Sequence, residues 1–305
     1  MHTAITIDAL KVLDAIDRKG SFAGAASVLF RVPSAISYTV QKLEEDLNVE
    51  IFDRSGHRAA LTPAGRYLLE EGRSLLEAAE ALAHTTRQVA EGWETRLRIG
   101  FNSLLPAECL FPAIRAFQQL DVPVDVQINE EVFAGAWDAL QSRRVDLIVG
   151  ADQISKPAGH FTTSPLGLME FVFAVAPEHP LADHPEPLRE SDIAPFPAVV
   201  AADTSRSLTP GNAGIFQRQR TLTVTNINQK IEAQQAGLGV GWLPVARIRN
   251  QLDQGSLVSK TVHEPRQPIA IHLARRAEDK GKALLWFWEY LQKSGDLQPW
   301  LSEPQ

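Results

Sequence analysis

Two stretches of this chain gather side chains able to recognise another molecule. In the first, Pro33, Ser34, Ser37 and Tyr38, with Gln41 and Lys42 one turn on, share one side of a helical pattern. The other side of that pattern is Ile36, Val40, Leu43 and Leu47, an unbroken apolar face. Hydroxyls at Ser34 and Ser37 can bond base edges or phosphates, the Tyr38 ring can pack on a thymine methyl, and Lys42 can reach a phosphate. Arg31 precedes the segment, and Arg54 and Arg58 follow it, placed to straddle a sugar–phosphate backbone or enter a minor groove. The plainer alternative is a solvated face on a helical hairpin that contacts protein.

The second stretch is discontinuous: Asn102 and Ser103 after one strand pattern, and Thr204, Ser205 and Arg206 after another. Polar groups at the carboxyl ends of parallel strands collect ligands, and an arginine there can hold an anion with two parallel bonds. Ordinary turn and cap roles compete with this for each residue. Catalysis has no residue to stand on. Cys109, the sole cysteine, carries no feature that would activate it, and the eight histidines show no metal-ligand spacing. Gly237-Leu238-Gly239-Val240-Gly241 follows a helix pattern and opens a strand, the reverse of a dinucleotide fingerprint. It suits close backbone packing or room for a ligand. No cofactor and no metal are expected, and an enzyme is not.

The elements that must position these groups can be read locally. Ile7, Leu10, Leu13 and Ile16 mark a first helix ending at Lys19-Gly20. Ser21 caps a short second helix carrying Phe22, Ala25, Ala26 and Leu29 inward, and Pro33 opens the third. This is a helix-turn-helix pattern. Residues 49–61 read as a small hairpin, or wing, around Ser55-Gly56, and Thr62-Pro63 starts another helix. Along that helix Leu68, Leu75, Leu82 and Val89 recur every seven residues, the mark of a long helix seeking another helix. A homodimer through this seam is expected; the competing reading is a helix lying on its own domain's core. From Arg96 onward strands alternate with helices, which implies parallel sheets with crossover helices, in two lobes that the chain crosses twice. A cleft between such lobes suits a small ligand.

Length and charge bound the rest. At 305 residues the chain holds two folding units with room for a small third, and one cysteine excludes an intrachain disulfide. No apolar run is long enough for a membrane span, and the first residues lack a signal-peptide pattern, so a cytoplasmic protein with no membrane partner is expected. The net charge of −7 weighs against nucleic acid, and residues 1–62 hold seven basic against eight acidic residues. Yet Arg31, Lys42, Arg54 and Arg58 fall on the turn, third helix and wing, whereas Glu44, Glu45 and Asp46 sit toward the far end of that helix.

Gly20-Ser21-Phe22, Ala25-Ala26, Ser37, Gln41-Lys42-Leu43-Glu44, Phe52-Asp53-Arg54 and Leu61-Thr62-Pro63-Ala64-Gly65 closely resemble the LysR family of bacterial transcriptional regulators. Scattered matches follow, among them Val145-Asp146-Leu147 and Ala236-Gly237-Leu238-Gly239-Val240, and Arg31 to Tyr38 with Ser55-Gly56-His57-Arg58 looks most like the YhaJ-like subgroup. The resemblance implies an α/β protein with three parts. These are a winged helix-turn-helix at 1–62, a dimerising linker helix at 63–92, and a two-lobed, periplasmic-binding-protein-like effector domain at 93–305. Lobe I would take 93–164 and 268–305, and lobe II 165–267. It further implies a homodimer or homotetramer on double-stranded promoter DNA, a small-molecule effector in the cleft, and altered recruitment of RNA polymerase. Val32-Pro33-Ser34 and Tyr38 depart from the family's usual recognition-helix residues. Phe133 stands where a threonine or serine is common after the second strand, which points to a less polar, aromatic effector. The rival reading is a cytoplasmic small-molecule-binding protein whose N-terminal helices contact other proteins.

Overall fold

The computed structural model describes residues 4–53, 60–209, 214–216 and 218–303, and divides into two units, Met1–Glu91 and Gly92–Gln305. In the first, the Thr6 hydroxyl accepts from the Ala9 N–H at 3.1 Å and caps α1 (Ile7–Lys19), which ends on Gly20 at φ 66°. Ser21 caps α2 (Phe22–Val28) through the Gly24 N–H at 3.0 Å, and Pro33 opens α3 (Pro33–Leu47). Leu10, Leu13, Ile16, Ala25, Ala26, Ile36, Val40 and Leu43 close one core. The expected α1 stripe is shifted: Ile7 is 43% exposed, whereas Val12 is fully buried, so the covered arc of α1 extends to one side of that line.

A short hairpin, β1 (Phe52–Asp53) and β2 (Ala60–Leu61), pairs Phe52 with Leu61 and Asp53 with Ala60. Residues 54–59, with Arg54 and Arg58, lie outside the described residues. The Thr62 hydroxyl then caps α4 (Pro63–Ala90) through the Gly65 N–H at 3.0 Å. The two readings of this helix divide it between them. Its first turns lie on their own core: Gly65, Leu69 and Gly72 are buried, Leu68 packs beside them, and Arg73 bonds Asp14 and Asp17 of α1 at 2.8 Å each. Farther along, Leu75, Leu82 and Val89 are 53%, 69% and 51% exposed. Leu68 is thus a core-edge residue before it is a seam residue.

The second unit runs β3 (Arg96–Asn102), α5 (Phe111–Gln118), β4 (Asp125–Glu131), α6 (Gly135–Gln141), β5 (Leu147–Asp152) and β6 (Phe161–Met169). It continues through β7 (Phe171–Val175), α7 (Glu190–Ile193), β8 (Ala198–Ala201), β9 (Thr221–Val224), α8 (Ile227–Gln235), β10 (Gly241–Pro244), α9 (Arg249–Asp253) and β11 (Val258–Lys260). β12 (Ile269–Arg276) and α10 (Lys282–Lys293) complete it. A 3₁₀ turn at Ala107–Leu110 replaces the start of the helix expected from Pro106, because Pro112 sits in the first turn of α5 and cannot donate to a preceding one.

The first lobe has the sheet order β4-β3-β5-β12-β6. β3 runs parallel to β4 and β5, and β12 runs antiparallel to β5 and β6, so the sheet is mixed where an all-parallel one was expected. The reason is that β12 returns from the other lobe and enters the sheet against the direction of its neighbours. In the second lobe β8 and β9 are parallel, Ala198 bridges Val240 in parallel, and β10 and β11 are antiparallel to β7. The two lobes repeat one pattern of strand directions. β6 stays paired with β12 as far as Met169 opposite Ile269, so the chain leaves the first lobe at Glu170, later than the expected 164. Among the described residues no helix is long and apolar enough to cross a membrane.

Candidate functional site

α3 separates two kinds of surface. Ile36, Val40 and Leu43 are buried, whereas Pro33, Ser34, Ser37, Tyr38, Gln41 and Lys42 are exposed, with Tyr38 at 67%. Pro33 starts the helix from the extended Val32 and no side chain caps it; Pro33 has no N–H to satisfy, and the Ala35 and Ile36 N–H groups donate to the Val32 carbonyl at 3.0 and 3.4 Å. The exposed Ser37 hydroxyl donates to the Pro33 carbonyl at 3.1 Å, while Gln41 is tethered to Glu45 at 2.8 Å. Arg31, expected among the DNA contacts, is bonded within its own domain. It forks onto Asp8 of α1 at 2.6 and 2.8 Å, and this bond holds the Asp8 carboxyl below its ordinary pKa. Glu44 was read as part of an acidic far end and is instead buried. Its Oε1 accepts the Ile51 N–H at 2.8 Å and the Phe52 N–H at 3.2 Å, fastening the wing to α3. The signal was present: Val40, Leu43, Glu44 and Leu47 fall at i, i+3, i+4 and i+7, the buried stripe itself.

In the second unit a cavity of about 220 Å³ lies between the lobes. Leu104 and Phe133 come from the first lobe, Phe171, Val200, Ile227 and Trp242 from the second, and Arg266 from the segment that crosses back before β12. Its walls are mostly apolar, and two cations reach them. Lys230 on α8 is buried, and burial, with the Arg266 charge adding, brings its pKa from 10.5 down to about 7. The Arg266 guanidinium lies 3.8 Å above the Phe171 ring centroid, and burial lowers it to about 10. Among the described residues neither has an acidic partner or a hydrogen-bond acceptor. Asp203 touches the same cavity, but its carboxylate accepts from the N–H groups of Ala134, Gly135 and Ser205 at 3.2, 3.1 and 2.7 Å.

Of the six residues expected at the cleft, Phe133 is on the cavity wall and the other five are not. Asn102 and Ser103 are buried in the turn after β3, where Asn102 Oδ1 accepts the Leu104 N–H at 3.1 Å and Ser103 N–H donates to the Glu131 carbonyl at 2.8 Å. Thr204 donates to Glu131 at 2.5 Å and accepts from the Val132 N–H at 3.0 Å; Ser205 donates to the Leu208 carbonyl at 3.2 Å. Arg206 offers its backbone N–H to Asp138 at 3.2 Å and leaves its side chain exposed. Burial pushes the Asp138 carboxyl up, and bonds from Ser207 and Arg144 outweigh it, holding the pKa at about 2. Together these groups clasp the loop after β8 onto β4 and α6 of the opposite lobe. Gly135 permits it, since a Cβ there would meet Thr204 Oγ1 at 1.8 Å.

The residues that sequence reading missed are Lys230 and Arg266. Ile227, Lys230, Ile231 and Gln234 fall at i, i+3, i+4 and i+7, so a lysine and a glutamine on one apolar stripe were legible. Of the two alternatives for the glycine run, close packing is the one seen: a Cβ on Gly239 would stand 2.5 Å from the Pro197 carbonyl oxygen, and one on Gly241 3.0 Å from Gln234 Nε2. Cys109 is buried and its thiol is pushed up to about 12, chiefly by burial, as suits an inert structural residue. A wider cleft of about 630 Å³ draws on other residues of α8, and its arginines are occupied. Arg247 donates to the Ser103 carbonyl at 2.8 Å and to Asn228, and Arg249 to the Pro299 carbonyl at 3.1 Å.

Residues 7–66 match the family described as bacterial regulatory helix-turn-helix protein, lysR family, and residues 90–296 match the LysR substrate binding domain. The probable HTH-type transcriptional regulator YhaJ of Escherichia coli (strain K12) is 41% identical over 285 residues, 93% of this chain and 94% of its own. The uncharacterized HTH-type transcriptional regulator YeeY of the same organism is 42% identical over 256 residues, 84% and 83% of the two chains. Among solved structures the Corynebacterium glutamicum OxyR C206 mutant shares the fold at a TM-score of 0.60, with 19% identity over 98% of each chain. The chain belongs to the LysR family, in its YhaJ-like group, as a transcriptional regulator that joins a DNA-binding helix-turn-helix domain to an effector-binding domain.

Proposed function

We propose that the exposed face of α3 reads promoter DNA in the major groove, with Ser34, Ser37 and Tyr38 at base edges and Lys42 on a phosphate. Arg54 and Arg58 of the wing hold the neighbouring sugar–phosphate chain, and Arg31 braces the turn between α2 and α3 through Asp8. The observation that carries this reading is the division of α3 into a buried apolar side and an exposed polar and aromatic one.

Residues 1–62 form the reading head, 63–92 the linker helix and 93–305 the effector domain. Leu75, Leu82 and Val89, with Leu68 at the edge, pair with a second copy to make a homodimer, two of which give a homotetramer on an interrupted palindrome. Their exposure supports this, since a row of uncovered apolar side chains on one helix face favours association. A small molecule held between the lobes biases how the paired heads are spaced and so how RNA polymerase is engaged, by population shift in the cytoplasm. The cavity's apolar wall, Phe133 included, supports an aromatic effector.

Electrophoretic retardation of DNA from upstream of the protein's own gene, against scrambled duplex of equal length at near-physiological salt, tests the reading. Preferential retardation of the upstream DNA is expected. Equal retardation of both would contradict sequence reading by α3.

A further inference from the structure

We infer that the inter-lobe cavity takes a small carboxylate carried on an apolar, ring-sized frame, with its anionic end at Lys230 and Arg266 and its frame against Phe133 and Trp242. This rests on the cavity being the effector site and adds the chemical class of the effector. Two like charges, one buried and one half-buried, meet in a mostly apolar-walled space, and among the described residues neither forms an ion pair or a hydrogen bond with an acidic side chain. Such an arrangement is costly for the empty protein, because an unpaired charge removed from water loses its solvation and gains nothing in return. A ligand bearing a negative charge removes the cost. Asp203, the acidic residue on the wall, is engaged by three backbone N–H groups.

Three further observations narrow the class. Both amide atoms of Gln234, which is fully buried, lack a partner among the described residues. Its Nε2 and the Lys230 Nζ lie 3.0 and 3.4 Å from the point where a Gly241 Cβ would stand, so an unpartnered amide is buried beside the ammonium, behind the cavity wall. The Arg266 guanidinium carbon lies 3.8 Å above the Phe171 ring centroid, which restrains a fork whose geometry matches a planar carboxylate. Most of the rest of the wall, Leu104, Phe133, Val200, Ile227 and Trp242 among it, is apolar, and beside the two cations the polar side chains there are Thr223 and the already bonded Asp203, few for the hydroxyls of a sugar. About 220 Å³ is below the roughly 300–1,000 Å³ of sites for drug-sized ligands, which limits the frame to about one ring.

Calorimetric titration of the full chain with benzoate and phenylacetate tests this, with benzamide and benzyl alcohol as neutral counterparts and acetate and inorganic phosphate as anions without a frame. At least one of the two ring acids is expected to bind at least tenfold tighter than all four controls. Lys230→Met and Arg266→Met are each expected to weaken it at least tenfold, with unchanged circular dichroism and elution volume, while Lys230→Arg retains part of the affinity. Failure of both acids to bind at millimolar concentration would overturn the inference, as would equal binding of benzamide or phosphate. Undiminished binding by properly folded Lys230→Met protein would do the same. DNA retardation is measured on the same preparations. Retardation without acid binding removes this inference alone, and acid binding without retardation removes the proposed reading head and leaves the cavity assignment standing.

Discussion

Lys230 is the residue at which stability and recognition oppose each other. Its folded pKa of about 7 lies below the ordinary 10.5, so between those values the unfolded chain holds the extra proton. Stability of the ligand-free protein must therefore rise with pH across that window, by at most about 1.4 kcal/mol per pH unit, and flatten below pH 7. Lys230→Met should abolish that part of the slope and raise the urea midpoint most at pH 7. Parallel pH dependences for the two proteins would show that the ammonium is not held without a partner. Lys230 bears a folding cost that the proposed anionic ligand would offset. The stripe Ile227, Lys230, Ile231, Gln234 made it visible in sequence, whereas Arg266 was not, because nothing local marks a loop arginine that stacks on Phe171 from ninety-odd positions away.

At the scale of elements, α4 shows how far local pattern reaches. Its caps, start and end are written in neighbouring residues, Thr62-Pro63 at one end and Glu91-Gly92 at the other, and were legible. Its seven-residue repeat was equally legible, but not the point at which the helix leaves its own core, which depends on Leu10 and Ile51 arriving from elsewhere. The two buried glycines differ accordingly. A Cβ on Gly65 would meet the Ile51 carbonyl oxygen at 2.2 Å, a backbone atom, while one on Gly72 would meet only the Leu10 Cδ2 tip at 2.6 Å. Replacing glycine by alanine within a helix gains about 1 kcal/mol of propensity, and overpacking costs about 1–3 kcal/mol. Gly72→Ala should be near neutral in urea unfolding and Gly65→Ala clearly destabilising; the reverse order would mean that α4 sits differently on α1. On the exposed turns, Leu75→Glu with Leu82→Glu should leave the secondary structure intact and shift light-scattering mass to that of one chain. An unchanged mass would place self-association elsewhere. Strand β6 illustrates the opposite limit: Phe161 to Pro165 pair with Arg276 to His272, over a hundred residues on, and no local periodicity announces that.

For the molecule as a whole, charge and architecture point to separate duties. A net charge of −7 makes the chain repel DNA at long range, so the proposed recognition has to come from a small face, on which Lys42 lies beside exposed hydroxyls and the Tyr38 ring. The repeated lobes, joined by two crossing segments and by the Thr204 and Asp138 clasp, supply a body in which a small ligand can favour one arrangement over another. The two-lobed plan was legible from alternating strands and helices. The clasp was not, because Thr204, Ser205 and Arg206 read equally well as ligand groups until Glu131 and Asp138 are seen opposite them. The central claim is that α3 reads sequence while the wing holds the backbone. Equilibrium anisotropy titration of Tyr38→Ala and Arg54→Ala proteins against upstream and scrambled DNA over a salt series tests it most directly. Tyr38→Ala should lower the ratio of upstream to scrambled affinity, with a cost of about 1–3 kcal/mol on the upstream DNA alone, and Arg54→Ala should weaken both DNAs alike and flatten the salt slope by about one unit. Equal losses on both DNAs for Tyr38→Ala, with the ratio intact, would contradict the account.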